Sequence, residues 1–85
     1  DDTEAITIMN ALQHLGFNVP EQVGVTGFNN SFLSQYSYPA LTTIDIQEIH
    51  LGKTSAQTIL AALNGSNHLD NLVKVPVNLV KRDSA

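Results

Sequence analysis

The sequence has 85 residues, of which 42% are hydrophobic, a content typical of a globular protein and too high for a disordered one. A domain of this size buries only a modest fraction of its surface, so we expect the chain to be a segment of a larger protein. Four lysine and arginine residues oppose eight aspartate and glutamate residues, and the formal charge of −4 excludes DNA binding by this chain alone, because binding phosphates requires clustered cations.

A helix is predicted over residues 3–15. Its apolar residues recur three and four positions apart, which is the spacing of one buried helical face: Ala5, Ile8, Met9 and Leu12. Asp1 and Glu4 match a capping box, and Asp2 is an equally good N-cap. Gly16 supplies the left-handed residue that ends a helix.

Two short strands and a long loop are predicted next. Residues 22–27 form the first strand, with Val23 and Val25 on one face. Residues 28–39 are polar and aromatic without a clean period, which indicates a loop with one helical turn. Loops of this length in compact domains are mostly functional or interfacial. Residues 41–44 are rich in β-branched side chains and form the second strand.

A second helix is predicted from Ile46 to Leu63. Its apolar and small residues alternate spacings of three and four, which indicates one buried stripe: Ile49, Gly52, Ala56, Ile59 and Leu63. Asp45 and Glu48 fit a capping box, and Asn64-Gly65 ends the helix.

The last predicted element is an extended segment over residues 73–80, which follows a polar connector over residues 66–71. Pro76 cannot donate to a sheet and therefore belongs at an edge or a crossing. The order helix, strand, strand, helix, strand is typical of an α/β architecture with a mainly parallel sheet and flanking helices.

Catalytic motifs are absent from the sequence, which has neither the G-x-S-x-G turn of a serine nucleophile nor a phosphate-binding loop ending in GK(S/T). There is no cysteine, and His14, His50 and His68 are far apart, unlike metal ligands. No apolar run approaches the roughly 18 residues that span a bilayer. We therefore expect a soluble α/β segment that is not an enzyme, with no metal, no cofactor and no contact with a membrane.

Five segments carry a further pattern. They are DTEA at residues 2–5, GFNVPEQVGVTGFNN at 16–30, PALTTI at 39–44, LG at 51–52 and PVNLVKRDS at 76–84. In this order they resemble the signatures of the LacI/GalR family of bacterial transcription regulators, which read N-D-x-x-A, G-x-x-V-P-x-D-(hydrophobic)-x-V-x-G-(F/Y)-D-(D/N), P-P-L-T-T-(I/V), L-G and P-x-x-L-V-x-R-x-S.

The resemblance implies the C-terminal part of a two-lobed sensor with the type I periplasmic-binding-protein-like fold. Residues 1–44 are then part of the C-terminal lobe, and residues 45–65 are a helix of the N-terminal lobe. Residues 66–85 are a connector and the last strand, which returns to the C-terminal lobe. The hinge is expected at Asp45 and Ile46, together with the connector. The helix-turn-helix domain is expected N-terminal to this sequence.

Three residues are implied as ligand-binding. Asp1 occupies the family's usual Asn, and Asn29 occupies its usual Asp; both family residues typically hydrogen-bond the effector. An ionised Asp only accepts hydrogen bonds, whereas Asn also donates, so either the acceptor has moved across the cleft or the effector differs. Asn29 could instead stabilise a tight turn. Leu51 resembles a residue that lines the cleft, with a buried core leucine as the alternative.

The resemblance also implies a homodimer, formed through the first helix and the following loop. The interface residues are expected to be Ile6, Met9, Tyr36 and Tyr38. Aromatic side chains are enriched at interface cores, although Tyr36 could equally cover its own lobe.

The function implied is that of a cytoplasmic regulator. A small effector, expected to be a sugar, binds between the lobes and stabilises one lobe arrangement, which changes the affinity of the N-terminal domain for operator DNA. The alternative is a solute-binding protein of a sugar ABC transporter, which shares the fold. The PALTTI and LVKRDS segments favour the regulator.

Overall fold

The structure is a computed structural model that describes residues 1–65 and 72–85. The polar connector predicted over residues 66–71, including His68, lies outside the described residues. In the described ranges the chain forms two α-helices, a 3-10 turn and two short strands: α1 (Asp2–His14), the 3-10 turn (Phe32–Gln35), β1 (Thr43–Asp45), α2 (Glu48–Leu63) and β2 (Asn78–Val80). The helical turn predicted within the long loop is therefore present.

Helix α1 begins with the predicted capping box. The carboxylate of Asp1 accepts a hydrogen bond from the Glu4 amide at 3.2 Å, and the Glu4 carboxylate accepts one from the amino group of Asp1 at 2.8 Å. These bonds satisfy donors that have no partner inside the helix. Asp2, the alternative N-cap, lies within the helix and is buried. Gly16 has a positive φ of 91° and follows the helix, as predicted.

The core of the molecule lies under α1. Its buried side chains come from the helix and from the extended segments that it covers: Ala5, Met9, Val19, Val25 and Leu41. Met9 and Leu41 are fully enclosed, and each side chain of this size contributes about 1.5–3 kcal/mol by its burial. The prediction that Ile8 is buried is wrong, since it is 56% exposed. At about 100° per residue it falls at the edge of the face that Ala5 and Met9 occupy.

The predicted first strand forms only one bridge, a parallel pair between Thr26 and Thr42. The Gly27 amide donates to the Thr42 carbonyl at 2.9 Å, and the Asn29 amide donates to the Ile44 carbonyl at 2.8 Å. Residues 25–29 therefore run parallel to the chain at β1, as predicted, without forming a regular strand.

Strands β1 and β2 pair antiparallel, with Thr43 opposite Val80 and Asp45 opposite Asn78. Among the described residues, the mainly parallel sheet expected from the element order is thus limited to the Thr26–Thr42 pairing. The physical reason is that the chain leaves the sheet at Asp45 and returns at Asn78 on the same end. A connection of that kind makes its two strands antiparallel.

Ser84 joins three segments of the core. Its hydroxyl donates to the Val25 carbonyl at 2.6 Å and accepts from the Thr42 amide at 2.8 Å. Its own carbonyl accepts from the Val25 amide at 2.8 Å. Because Ser84 is completely buried, no water replaces these bonds, and the end of the chain is fixed against the two extended segments.

Helix α2 begins two residues later than predicted. Asp45 ends β1 and does not cap the helix, because its carboxylate accepts a hydrogen bond from the Gln47 amide at 2.8 Å. Gln47, in a left-handed conformation with φ of 53°, is the N-cap and makes no side-chain capping bond. The predicted end is correct, with Asn64 as C-cap and Gly65 at a positive φ of 80°.

The buried stripe predicted for α2 is wrong within this chain, since no residue of the helix is buried. Ile49 is 78% exposed and Leu63 is 77% exposed. The molecule measures 59 × 18 × 17 Å, and its radius of gyration is 17.8 Å. A compact protein of this length has a radius of gyration of about 12 Å. The helix therefore lies outside the core that α1 covers, and its apolar side chains stay largely exposed.

We expect Ser84→Ala to lower the free energy of unfolding by about 1–3 kcal/mol, because it leaves the buried Thr42 amide and Val25 carbonyl without that partner. Urea unfolding of the purified protein measures this loss. The control is Ser55→Ala, which removes the hydroxyl of an exposed serine on α2 and should change stability by less than about 0.5 kcal/mol. Equal losses in the two variants would show that the buried bonds of Ser84 do not stabilise the core.

Candidate functional site

Two consecutive asparagines form a sharp corner where the chain leaves the Thr26–Thr42 pairing. Asn29 has a φ of 106° and Asn30 has a φ of 51°. Residues other than glycine rarely adopt such positive φ angles. Asparagine tolerates positive φ better than most residues, yet such conformations still cost about 1–3 kcal/mol each. We call residues 29–30 the asparagine corner, and its shape requires support from the surrounding structure.

That support reaches the corner from β1 and from the start of α1. The Asn29 amide donates to the Ile44 carbonyl, and the Asn30 amide donates to the Thr43 hydroxyl at 3.3 Å. The next amide, that of Ser31, donates to the Asp2 carboxylate at 2.5 Å. Three consecutive N–H groups are thereby satisfied, which stabilises the path of the backbone through the corner.

Asp2 is the centre of this support. It is 1% exposed, and its second carboxylate oxygen accepts a hydrogen bond from the Thr43 hydroxyl at 2.5 Å. Burial by itself raises the pKa of Asp2, but the hydrogen bonds from Thr43, Ser31 and Phe28 outweigh it, so that the pKa lies below its ordinary value. A Cβ atom at Gly27 would clash with the Asp2 carboxylate, which explains the glycine there.

A pocket of about 450 Å³ lies between the asparagine corner and the first turns of α2. Its lining is polar and carries charges of both signs: Asn29, Asn30, Asp45, Gln47, Glu48, Ile49, His50 and Lys53. The amides both donate and accept hydrogen bonds, the carboxylates accept, and the lysine donates. Such a lining suits a small ligand with several hydroxyl or other polar groups.

The predicted ligand residues are only partly brought together. Asn29 lines the pocket, as does Asp45, which the sequence suggested as a hinge residue. Asp1 is the exposed N-cap of α1 and is not among the lining residues. Leu51 is 40% exposed and lines a separate pocket of about 320 Å³ between α2 and residues 73–75. Ile46 is half-buried beside the pocket residues Asp45 and Gln47.

The four residues expected at a dimer interface differ in exposure. Tyr36 is 67% exposed and Tyr38 is 89% exposed, and the ring of Tyr36 lies 4.9 Å from that of Phe32, centroid to centroid. Ile6 is half-buried and packs against the core. Met9 is 0% exposed and therefore has no surface to offer a partner chain. The expectation for Met9 is therefore corrected, because its side chain is buried in the core of its own chain.

Sequence reasoning missed three residues of this site, namely Asp2, Asn30 and Arg82. The Arg82 guanidinium donates to the side chain of Asn30 at 2.8 Å. Each of the three matches a specified position in the signatures that the sequence resembles, and this match could have pointed to them. Nothing in the sequence indicated that these letters, far apart in the chain, converge on one corner.

Across residues 1–65 and 72–85, no three histidine, aspartate or glutamate side chains come together as metal ligands would. In the same part of the chain, neither helix has the length and apolarity required to cross a membrane.

Residues 1–85 match the family model of the periplasmic binding protein-like domain. The chain belongs to this family. The fold class expected from the sequence is thereby confirmed. The structure superimposes on the Lac repressor dimer bound to operator and the anti-inducer ONPF with a TM-score of 0.91 at 32% identity. That match covers 99% of this chain and 29% of the repressor chain.

Two further relatives are similar over the whole chain. The NTD biosynthesis operon regulator NtdR of Bacillus subtilis (strain 168) is 35% identical over 85 residues, which are 99% of this chain and 26% of the relative. A periplasmic binding protein/LacI transcriptional regulator of Alkaliphilus metalliredigens QYMF, complexed with D-xylulofuranose, is 33% identical with a TM-score of 0.86. It is matched over 99% of this chain and 32% of its own. These relatives are transcription regulators, and this chain spans only about a quarter to a third of their length.

We expect the stability to depend on the ionised carboxylate of Asp2. Since its pKa is lowered by folding, its contribution is complete above the ordinary aspartate pKa of about 3.9 and is lost as the pH falls below that value, through the folded-state pKa. Asp2→Asn should lower the free energy of unfolding by about 1–3 kcal/mol at neutral pH. The difference from the wild type should shrink in acid, as urea unfolding over a pH series would measure.

Asp1→Asn is the matched control for this prediction. Asp1 is the exposed N-cap, and asparagine and aspartate cap helices about equally well. Its effect should stay within about 0.5 kcal/mol at every pH. A loss at Asp2 that does not vary with pH would contradict the role assigned to its charge.

Proposed function

We propose that the chain is the C-terminal part of the effector-binding domain of a LacI-type transcription regulator, which acts in the cytoplasm and catalyses no reaction. A small molecule, expected to be a sugar, binds between the two lobes and changes the affinity of the regulator for operator DNA. The regulators to which the chain is similar support this proposal, and among them the Lac repressor dimer is bound to operator. They favour it over a solute-binding protein of a transporter.

The proposed division into lobes rests on where the core lies. Residues 1–44 supply the core under α1, and the returning segment is bonded to them through the pairing of β2 with β1 and through Ser84, so we assign both to the C-terminal lobe. Helix α2 has no buried residue and carries exposed apolar side chains, so we assign residues 45–65 to the N-terminal lobe, whose remaining elements would cover them. Residues 66–85 then cross back and end in the C-terminal lobe.

The single observation that carries the proposal is the position of the polar pocket. One wall is the asparagine corner, which belongs to the proposed C-terminal lobe, and the other is the start of α2. A ligand in this pocket contacts both lobes at once. Its binding free energy therefore depends on their relative arrangement, which is the physical requirement for a ligand-controlled switch.

The proposed hinge is the crossing at Asp45 and Ile46. The Asp45 carboxylate holds the Gln47 amide, and the Gln47 side-chain amide donates to the Pro76 carbonyl at 2.5 Å. The outgoing and returning crossings are thereby tied together beside the pocket. A ligand that contacts Asp45 or Gln47 would act directly on the segments that absorb lobe rotation.

A sugar is the effector class that the lining fits best, because hydroxyl groups both donate and accept, as the asparagine and glutamine side chains do. The relative from Alkaliphilus metalliredigens, which is complexed with D-xylulofuranose, supports this class. In the intact domain we place Asp1 and Leu51 at the rim of the same cleft. Asp1 directly precedes Asp2, which binds the corner, and Leu51 lies one helical turn beyond Gln47.

Thermal unfolding of the full-length protein, with D-xylulose and common mono- and disaccharides, tests the proposal. A ligand at one hundred times its dissociation constant adds about 2.7 kcal/mol of stability, so we expect at least one sugar to raise the melting temperature. The same sugar should change the amount of protein bound to DNA from its own promoter. Sugar binding by a protein without affinity for that DNA would favour the transporter alternative, and the absence of any sugar response would contradict the effector class.

We expect Asn29→Ala to weaken binding of that sugar by about tenfold or more, because the hydrogen bonds of one amide side chain are lost. Titration calorimetry measures the affinity, and dimerisation should not change. Asn29→Gly should give the same loss without backbone strain, since glycine adopts positive φ freely. Asn18→Ala removes an exposed amide outside this pocket and serves as the control. Unchanged affinity in both Asn29 variants would remove Asn29 from the site.

We further propose that the regulator is a homodimer and that α1 and the 3-10 turn form the interface. Phe32, Leu33, Tyr36 and Tyr38 are exposed there, next to α1, and such aromatic side chains are enriched at interface cores. Ile6 lies at the edge of this surface, half-buried. The relative described as the Lac repressor dimer supports the same state.

Tyr36→Asp should weaken this dimer by about tenfold or more, since it places a charge within an apolar contact. Sedimentation equilibrium of the full-length protein measures the dissociation constant. Tyr36→Phe keeps the ring and should leave the constant nearly unchanged. A dimer that tolerates Tyr36→Asp must use a different surface.

A further inference from the structure

Arg82, in the last segment of the chain, reaches the asparagine corner with its guanidinium group. One terminal nitrogen donates to the Asn30 side-chain oxygen at 2.8 Å. The other donates to the Ser34 hydroxyl at 2.8 Å and to the Leu41 carbonyl at 2.9 Å. Three acceptors from the corner, the 3-10 turn and the start of the second extended segment thus share one cation.

We infer that Arg82 is a positioning residue for the pocket: it holds Asn30 in its left-handed conformation and so sets the direction in which Asn29 enters the cleft. The inference rests on the proposed function, in which Asn29 contacts the effector. Arg82 itself is not among the residues that line the pocket and acts through its neighbour.

The need for such a residue follows from the backbone of the corner. The N–H bonds of Asn29 and Asn30 support the path of the chain, but they do not hold the Asn30 side chain. The Ser34 hydroxyl lies 3.3 Å from the oxygen of this side chain, but its single proton is donated to the Ser31 carbonyl at 2.6 Å. The charge-assisted bond from Arg82 is about twice as strong as a neutral one, and it fixes the side chain and the backbone together.

Charge neutralisation does not explain this arrangement. In the described part of the chain, the one ion pair joins the terminal ammonium group and Glu4, so the guanidinium is engaged by neutral acceptors. Arg82 contributes a planar guanidinium group whose two terminal nitrogens reach three acceptors. The backbone from which the side chain extends is held in place, because the Arg82 amide donates to the Thr42 hydroxyl at 2.9 Å. A lysine at the same position has a single ammonium group, and we expect it to replace only some of these hydrogen bonds.

Amide hydrogen exchange of the full-length protein, measured without ligand, tests the inference. In Arg82→Gln we expect the amides of Asn29, Asn30 and Ser31 to exchange about tenfold or more faster than in the wild type. The Val25 amide, bonded to Ser84, should change by less than about twofold. Arg82→Lys should give an intermediate exchange rate at the corner. If only the positive charge mattered, this variant would exchange at the wild-type rate.

Two further comparisons keep the test decisive. Lys81→Gln makes the same charge change at an exposed neighbour and should leave the corner at wild-type rates. If Arg82→Gln does not fold, variants of Asn30 test the same hydrogen bond. Asn30→Gly removes the acceptor and should speed exchange at Asn29. Asn30→Asp keeps an acceptor and should not.

Three outcomes would overturn the inference: unchanged exchange at the corner in Arg82→Gln, an equal rise at Val25 and at the corner, or identical behaviour of the two Asn30 variants. Because no ligand is present, these outcomes are separate from the fate of the proposed function. That function is decided by the sugar response and by Asn29→Ala, and it could fail while Arg82 still orders the corner.

Discussion

The buried carboxylate of Asp2 is the constraint on which the rest of the site depends. It joins the first turn of α1 to the Thr43 hydroxyl on β1 and to the Ser31 amide beyond the asparagine corner. A charge removed from water is tolerated only when hydrogen bonds replace its hydration, and here they do so well enough to lower its pKa. The helix, the strand and the corner therefore have one relative arrangement, and the absence of a side chain at Gly27 permits it.

The site and the core follow opposite rules within one small chain. Under α1, apolar side chains are enclosed, and the Ser84 hydroxyl satisfies the buried Thr42 amide and Val25 carbonyl. At the pocket between the asparagine corner and the start of α2, amide and charged side chains are open to solvent. The total accessible surface of 6204 Å² exceeds the value of about 4,900 Å² for a compact protein of this mass. The excess reflects α2, none of whose residues is buried.

Local features were predictable from the sequence where neighbouring residues decide them. The Asp1–Glu4 capping box, the end of α1 at Gly16 and the end of α2 at Asn64-Gly65 all follow from groups within a few positions of each other. The start of α2 was not predictable in this way, because the Asp45 side chain could cap a helix or close a turn onto Gln47. The antiparallel pairing of β2 was missed as well, since it depends on where the chain re-enters the sheet.

The sequence by itself indicated the periplasmic-binding-protein-like fold, through pattern letters that keep their order, and it determined the periodicity of both helices. Only the tertiary structure decided which helical face is enclosed: Met9 belongs to the core, whereas Ile49 and Leu63 do not. It also decided that Asp2, Asn30 and Arg82 meet at one corner. The physical reason is that hydrogen bonds between residues 29 to 52 positions apart depend on how the segments pack, and spacing along the chain carries no record of that packing.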